Sequence, residues 1–287
     1  MQSYACAPLG DDVCPTCPYG GGPIALSTGN TYIDEIDVRV PGLSRGLSLN
    51  RVWNSRSAYS QGMFGNGWRS SFEEKVFVGN QNYIDYWKSD DSIWSFGYVG
   101  GDPAGSGDAL YWIAAPSNAG ATLQWTKRDD PAQSFWTLTL KDGEKRIYNE
   151  EKKYLVSISD RNGNATTLTH DSLDRVSMVA DPGGRHLYFN YGPSGNLVQT
   201  VTTDFGISLT YTYDAQHRLT QVTYPDNTFK TFEYDANSFI TAVKDSQGKI
   251  LESHTYNTCG QGLTSSRSGG VEAITVAYPL TCGLELP

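Results

Sequence analysis

One stretch of the chain repeats itself every 21 or 22 residues, and that period restricts the fold more than any other feature. Tyr148-Asn149, His170-Asp171, Tyr191-Gly192, Tyr213-Asp214, Tyr234-Asp235 and Tyr256-Asn257 follow at steps of 22, 21, 22, 21 and 22, and Tyr278 lies a further 22 on. The register holds between these positions too. DRVSMVADPGG at 174–184, GNLVQTVTTDFG at 195–206, HRLTQVTYPDN at 217–227 and SFITAVKDSQG at 238–248 superimpose at the same offset.

Each unit reads as strand, turn, strand. In SLTYTY, Leu209, Tyr211 and Tyr213 fall on one face and Ser208, Thr210 and Thr212 on the other, the alternation of a strand with one buried side. Asp181-Pro-Gly-Gly, Pro225-Asp-Asn and Ser246-Gln-Gly supply the residues that tight turns demand. A unit then holds two strands of about seven residues. Helical periodicity with caps is absent outside the turns. A hairpin this small cannot bury its aromatic face alone, so consecutive units must stack into one sheet. The tyrosine of each pair becomes a ladder rung, worth roughly 0.2–1 kcal/mol per cross-strand pair, and the following Asp or Asn a turn former. The competing use of these tyrosines is carbohydrate stacking.

With 287 residues, 7 Trp, 18 Tyr and 10 Phe, the chain can build one large or two modest β domains. Its net charge of -9 excludes a basic stripe for nucleic acid. No apolar run reaches the length of a membrane span, and Met1-Gln-Ser-Tyr-Ala-Cys lacks the charged and apolar regions of a signal peptide.

Residues 1–22 form a mobile, cysteine-containing lead-in ending in CPTCPYGGGP. From Ile24, IDEIDVRV and LSLNRVW form a first hairpin, with Ile36, Val38 and Val40 on one face and Leu47 and Leu49 on the inner face of the partner. Gly62, Gly65 and Gly67 precede Trp68, where a backbone can approach a large ring closely. Short strands rich in Trp and Tyr run from Tyr83 to about Leu140, where the periodic part begins.

Five cysteines lie at the ends only. Cys259 and Cys282 could close the C-terminal segment with a disulfide worth about 3 kcal/mol, leaving an odd thiol among Cys6, Cys14 and Cys17. Cys14-Pro-Thr-Cys17 could instead serve redox chemistry or half a zinc site, without the βαβ context or second ligand pair that those uses require.

These residues carry a family resemblance. GGPIALSTGNTYIDEIDVRVPG, NRVWNSRS and GNGWRSSFE resemble the region that precedes the repeats in Rhs proteins, and DGEKRIYNEEKKYLVSISDRNGNATTLTHD with the Tyr-Asp units resembles the YD repeats of that family. The family is related to the C components of Tc toxins and to teneurin shells. The resemblance covers roughly residues 20–257. It implies a β-sheet that spirals into a hollow shell, often around a toxin domain. Family shells that close carry many more repeats and a self-cleaving Asp-Pro motif near the C-terminus. Here Asp102-Pro103, Asp130-Pro131 and Asp181-Pro182 all lie upstream of that place. About fourteen strands at roughly 4.8 Å each make a ribbon of some 65 Å, enough to curve but short for a sealed capsule.

No catalytic constellation emerges from His170, His186, His217 and His254, and no Gly-x-Ser-x-Gly, His-Glu-x-x-His or phosphate loop is present. SDRNGN at 159–164 lacks the acidic twelfth position of a helical calcium loop and reads as a turn. Asp90-Asp91 and Asp129-Asp130 read as solvated strand ends.

The expectation is therefore an all-β, curved β-sheet spiral of stacked hairpins, a partial Rhs/YD-repeat shell: lead-in 1–22, N-terminal β region 23–140, repeats 141–257, and a C-terminal segment 258–287 that includes a degenerate last repeat. Its structural rungs are Tyr148, His170, Tyr191, Tyr213, Tyr234 and Tyr256. The expected role is a non-enzymatic scaffold of a secreted or surface protein, without cofactor or metal, partnered by protein through self-association at a sheet edge or through the rest of a larger shell. The alternative is a carbohydrate- or cell-surface-binding module using exposed aromatic side chains.

Overall fold

The structure is a computed structural model describing residues 19–20, 24–26, 28–80, 83–90, 92–101, 109–114, 120–192 and 195–278. The lead-in cysteines Cys6, Cys14 and Cys17, together with Asp91 and Cys282, lie outside the described residues. Among the described residues the helical content is three single turns, Ser55–Ser57, Pro131–Gln133 and Ser268–Gly270.

The described residues form two main sheets and a two-stranded hairpin, Gln61–Gly62 with Gly65–Asn66. The larger has 19 strands, from Lys75–Asn80 to Val271–Thr275, each paired antiparallel with its neighbours in sequence. Its periodic strands are five to seven residues long, as in Lys145–Asn149 and Ile250–Tyr256. The sheet rolls up: Lys75 bridges back to Tyr154, and the Val76 N–H donates to the Lys153 carbonyl at 3.2 Å. The smaller sheet holds Tyr19–Gly20, Ile24–Ala25, Asn30–Val40, Leu47–Asn54 and Trp68–Ser70 in that order.

The concave side of the spiral is not hollow. The smaller sheet and the loop after it enter as a plug, and aromatic pairs join plug to wall: Phe64 to Tyr211 at 4.8 Å, Trp68 to Phe232 at 4.9 Å, Phe72 to Phe189 at 6.1 Å and Trp53 to Tyr256 at 6.4 Å. Trp53, Phe64 and Trp68 are fully buried against Leu209, Leu219, Val222 and Ile240 of the wall. Two short β layers thereby share one core, which neither could build alone.

Two readings of the N-terminal β region need correction. Ile36 is exposed, not aligned with Val38 and Val40, because a bulge between Ile36 and Val38 shifts the register and turns the Asp37 side chain inward. Asp90 is not a solvated strand end. It is fully buried, its Oδ1 accepts from the Ser92 N–H at 2.9 Å, and its carbonyl accepts from Asn54 Nδ2 at 2.7 Å.

Candidate functional site

The repeat is a mechanical device as well as a period. At His170, Tyr191, Tyr213, Tyr234 and Tyr256 the ladder carries a bulge, two residues of the following strand opposing the end of this one. The bulge re-aims the ring along the sheet. Four of these hydroxyls donate to a carbonyl in the preceding hairpin: Tyr191 to Val176 at 2.8 Å, Tyr213 to Val198 at 2.6 Å, Tyr234 to Leu219 at 2.8 Å and Tyr256 to Ile240 at 2.9 Å. Tyr148 is fully buried and turns instead toward Glu74, and His170 stacks on Tyr154 at 5.1 Å.

Where the pair carries an Asp, it folds the turn that follows. Asp214 Oδ1 accepts from the backbone N–H of Gln216 and Arg218, and Oδ2 accepts from Arg218 Nε at 2.6 Å. Asp171 holds Leu173 and Arg175 in the same way. The turn closes with a left-handed residue, Lys153, Asp174, His217 or Ser238 on one rim, and Gly163, Gly184, Gly206, Asn227 or Gly248 on the other. The fixed arginine then covers the next rung: Arg175 lies 4.2 Å from the Tyr191 ring centroid and Arg218 lies 4.9 Å from that of Tyr234. Partial burial alone would raise the carboxyls of Asp171 and Asp214, but hydrogen bonds from Arg175, Arg218 and the turn amides hold both below the usual range. Burial pushes the phenols of Tyr191, Tyr213, Tyr234 and Tyr256 upward, so these hydroxyls stay protonated donors at neutral pH.

Tyr213→Phe is expected to lower stability by about 0.5–1.5 kcal/mol, the worth of one hydrogen bond, and Asp214→Ala by more, since a turn, an arginine and the next rung lose their anchor together. Chemical unfolding of the two variants checks the order.

The plug contributes a feature that the period does not announce. Arg51 and Asp37 are wholly buried, with Arg51 Nη2 donating to Asp37 Oδ1 at 2.8 Å and a second bond joining Nε to Oδ2. The guanidinium sits among Trp68, Tyr211, Phe64 and Phe232 at 4.6–5.9 Å from their centroids, and the Tyr211 hydroxyl donates to Asp37 at 2.7 Å. Burial would lower the Arg51 pKa, and Asp37 more than reverses that. One signal for this was legible: Leu47, Leu49, Arg51 and Trp53 share the inward face of an alternating strand.

Beside the plug opens a cleft of about 1310 Å³, with Arg39, Arg45, Lys88, Lys141 and Arg146 on its walls. Two carboxylates converge there on one guanidinium. Glu74 accepts from Arg146 Nη1 at 2.5 Å and from the Tyr86 hydroxyl at 2.9 Å, while Glu144 accepts from Arg146 Nε and Arg45 Nε, each at 2.8 Å. Both carboxylates are committed to ion pairs, an arrangement that braces the walls. Among the described residues no cluster of three or more His, Cys, Asp or Glu has metal-binding geometry. Cys259 is disulfide-bonded. No described helix is long and apolar enough to cross a membrane.

A rolled antiparallel sheet of hairpins, tied together at a fixed period, defines a β-spiral repeat protein with the structural shell fold. Residues 148–186 and 191–228 match the RHS Repeat, so this part of the chain carries Rhs repeats. Residues 21–96 match a domain of unknown function, DUF6531. The tRNA nuclease WapA of Bacillus subtilis (strain 168) is 27% identical over 158 residues, 54% of this chain and 6% of that protein. The tRNA3(Ser)-specific nuclease WapA of Bacillus spizizenii matches to the same extent. The chain spans about 6% of the length of these curated relatives. Among solved structures, TcdB2-TccC3 aligns with a TM-score of 0.46 at 10% identity over 84% of this chain and 17% of that one. The N-terminal domain of the effector protein SpvB from Salmonella typhimurium strain LT2 aligns at 0.41 with 12% identity, over 74% and 98%.

Proposed function

We propose that the chain is a non-enzymatic structural scaffold, a plugged β-spiral that forms a wall segment of a secreted or surface Rhs/YD-repeat protein and joins other polypeptide through its sheet edges. The observation that carries this reading is how the chemistry-bearing groups are used. The rung tyrosines, the Asp-Arg turns and the Arg51–Asp37 pair are all spent on holding hairpin to hairpin and plug to wall. In this reading the chain supplies no catalytic group, and the nuclease named in WapA is a property of that protein. The last described strand, Val271–Thr275, supports the edge role: it pairs with Gly262–Arg267, and Val271 is 59% exposed.

Light scattering coupled to size exclusion, with and without reductant, tests the edge. Concentration-dependent oligomers that Val271→Pro or Ile274→Lys disperses are expected; a strict monomer at high concentration would remove this part of the reading. A second reading, a carbohydrate-binding module, has one observation in its favour, the exposed Phe77 and Tyr83 on neighbouring strands. Saturable quenching of tryptophan fluorescence by soluble oligosaccharides would shift the assignment toward it.

A further inference from the structure

The ring has a weak place, and the one rung that is not a tyrosine lies beside it. Among the described residues, Lys75–Asn80 meets the far side of the ring through a single bridge, Lys75 with Tyr154, and a single bond, Val76 N–H to Lys153 O. The adjoining ladders carry three or more paired residues each. The hydroxyl staple that ties each later hairpin to its predecessor lapses at this point: Tyr148 is drawn to Glu74, and His170 has no hydroxyl to offer. The position that a tyrosine at 170 would reach, fifteen residues back, is the carbonyl of Leu155, next to the bridged Tyr154.

His170 instead lies flat on Tyr154, with ring planes 22° apart. It is half-buried on the wall of a second cleft, of about 560 Å³. Lys75 and Tyr154 of the seam line this cleft beside His170, and Phe72, Glu74 and Lys88 are shared between it and the larger one.

We propose that this seam is a pH-sensitive gate: the neutral His170 ring on Tyr154 holds it shut, and protonation of His170 loosens it and opens the wall of the second cleft. The charged groups around the ring come from four directions. Its own turn presents Asp171, bound to Arg175, and Asp174, bound to Lys152 of the preceding hairpin at 3.2 Å. Elsewhere the cleft is lined by Arg69 and Glu73 of the plug, by Glu74 and Lys75 at the start of the seam strand, and by Lys88. Asp171 and Asp174 favour the imidazolium, but burial dominates and holds the ring below its ordinary pKa. The sign follows. A histidine kept neutral in the closed state stabilises closure above the open-state value near 6.5, and that contribution is lost as pH falls through about 6.5, by at most about tenfold per pH unit for one proton.

Native-state hydrogen exchange of the Val76 amide, corrected for intrinsic rates and compared with the Val201 and Phe232 amides of the stapled ladders, tests the gate. Between pH 7.5 and 5.5 the Val76 protection factor is expected to fall several-fold while the two reference amides hold level. His170→Phe, which keeps a flat ring without titration, should abolish that fall. His170→Tyr should abolish it and also raise protection, because its hydroxyl can donate to Leu155. A Val76 profile that tracks the reference amides in the wild type, or one that keeps its fall in His170→Phe, overturns the proposal.

Discussion

Replacing Arg51 with Ala is expected to cost about 3–5 kcal/mol, the range for breaking a buried ion pair by removing one partner. Neither Arg51 nor Asp37 has side-chain surface in contact with water. Without the guanidinium, the Asp37 carboxylate stays buried at its bulge with a Tyr211 hydrogen bond and no neutralising charge. The four rings that pack on the cation also face a void where plug meets wall. The double change Arg51→Met with Asp37→Leu should recover most of the loss, since buried ion pairs replaced by apolar groups of similar volume are often neutral or better. Urea unfolding followed by tryptophan fluorescence measures both. A loss under about 1 kcal/mol for Arg51→Ala would mean that plug and wall are not coupled through this pair.

Removing the plug should have the larger effect. A chain starting at Glu74 keeps every repeat, yet it uncovers Phe189, Tyr211, Phe232 and Ile240, whose partners Phe72, Phe64, Trp68 and the rest of the plug would be gone. The bared aromatic face is a large exposed apolar patch that has lost the core it shared with the plug. The truncated chain is expected to collect in inclusion bodies or, when refolded, to bind a hydrophobic dye and melt without a cooperative transition. A soluble, cooperatively melting truncated chain would show that the spiral stands by itself.

The two halves of the chain were unequally legible in sequence, for a physical reason. Within a repeat the determinants are local. Asp214 binds the amides two and four residues ahead, and Asn227 or Gly248 takes the left-handed turn position, so a 21- or 22-residue period exposes them. The plug's contacts are remote: Asp37 and Tyr211 are 174 residues apart, Trp68 and Tyr234 166. No period marks such pairs, and the alternating hairpin gives no hint that it lies inside the curve of the later strands. The bulge at Asp37 was hidden for the same reason, since its driving force is Arg51 on the next strand. The charged residue on an inward position was the clue available. The tyrosine rungs were visible as positions, but their target carbonyls, and the arginine that covers the next ring, depend on the sheet's stagger, which the period does not carry.

Plug and spiral share one core and are expected to open as one cooperative unit. Residue-resolved hydrogen exchange at low denaturant tests it most directly by comparing Leu49 and Trp53 in the plug with Val201, Val222 and Phe232 in the wall, all buried strand residues. A single shared opening free energy for both groups is the predicted result. Plug amides that open well before the wall, which then keeps its own protection, would contradict it and make the N-terminal sheet a separable passenger.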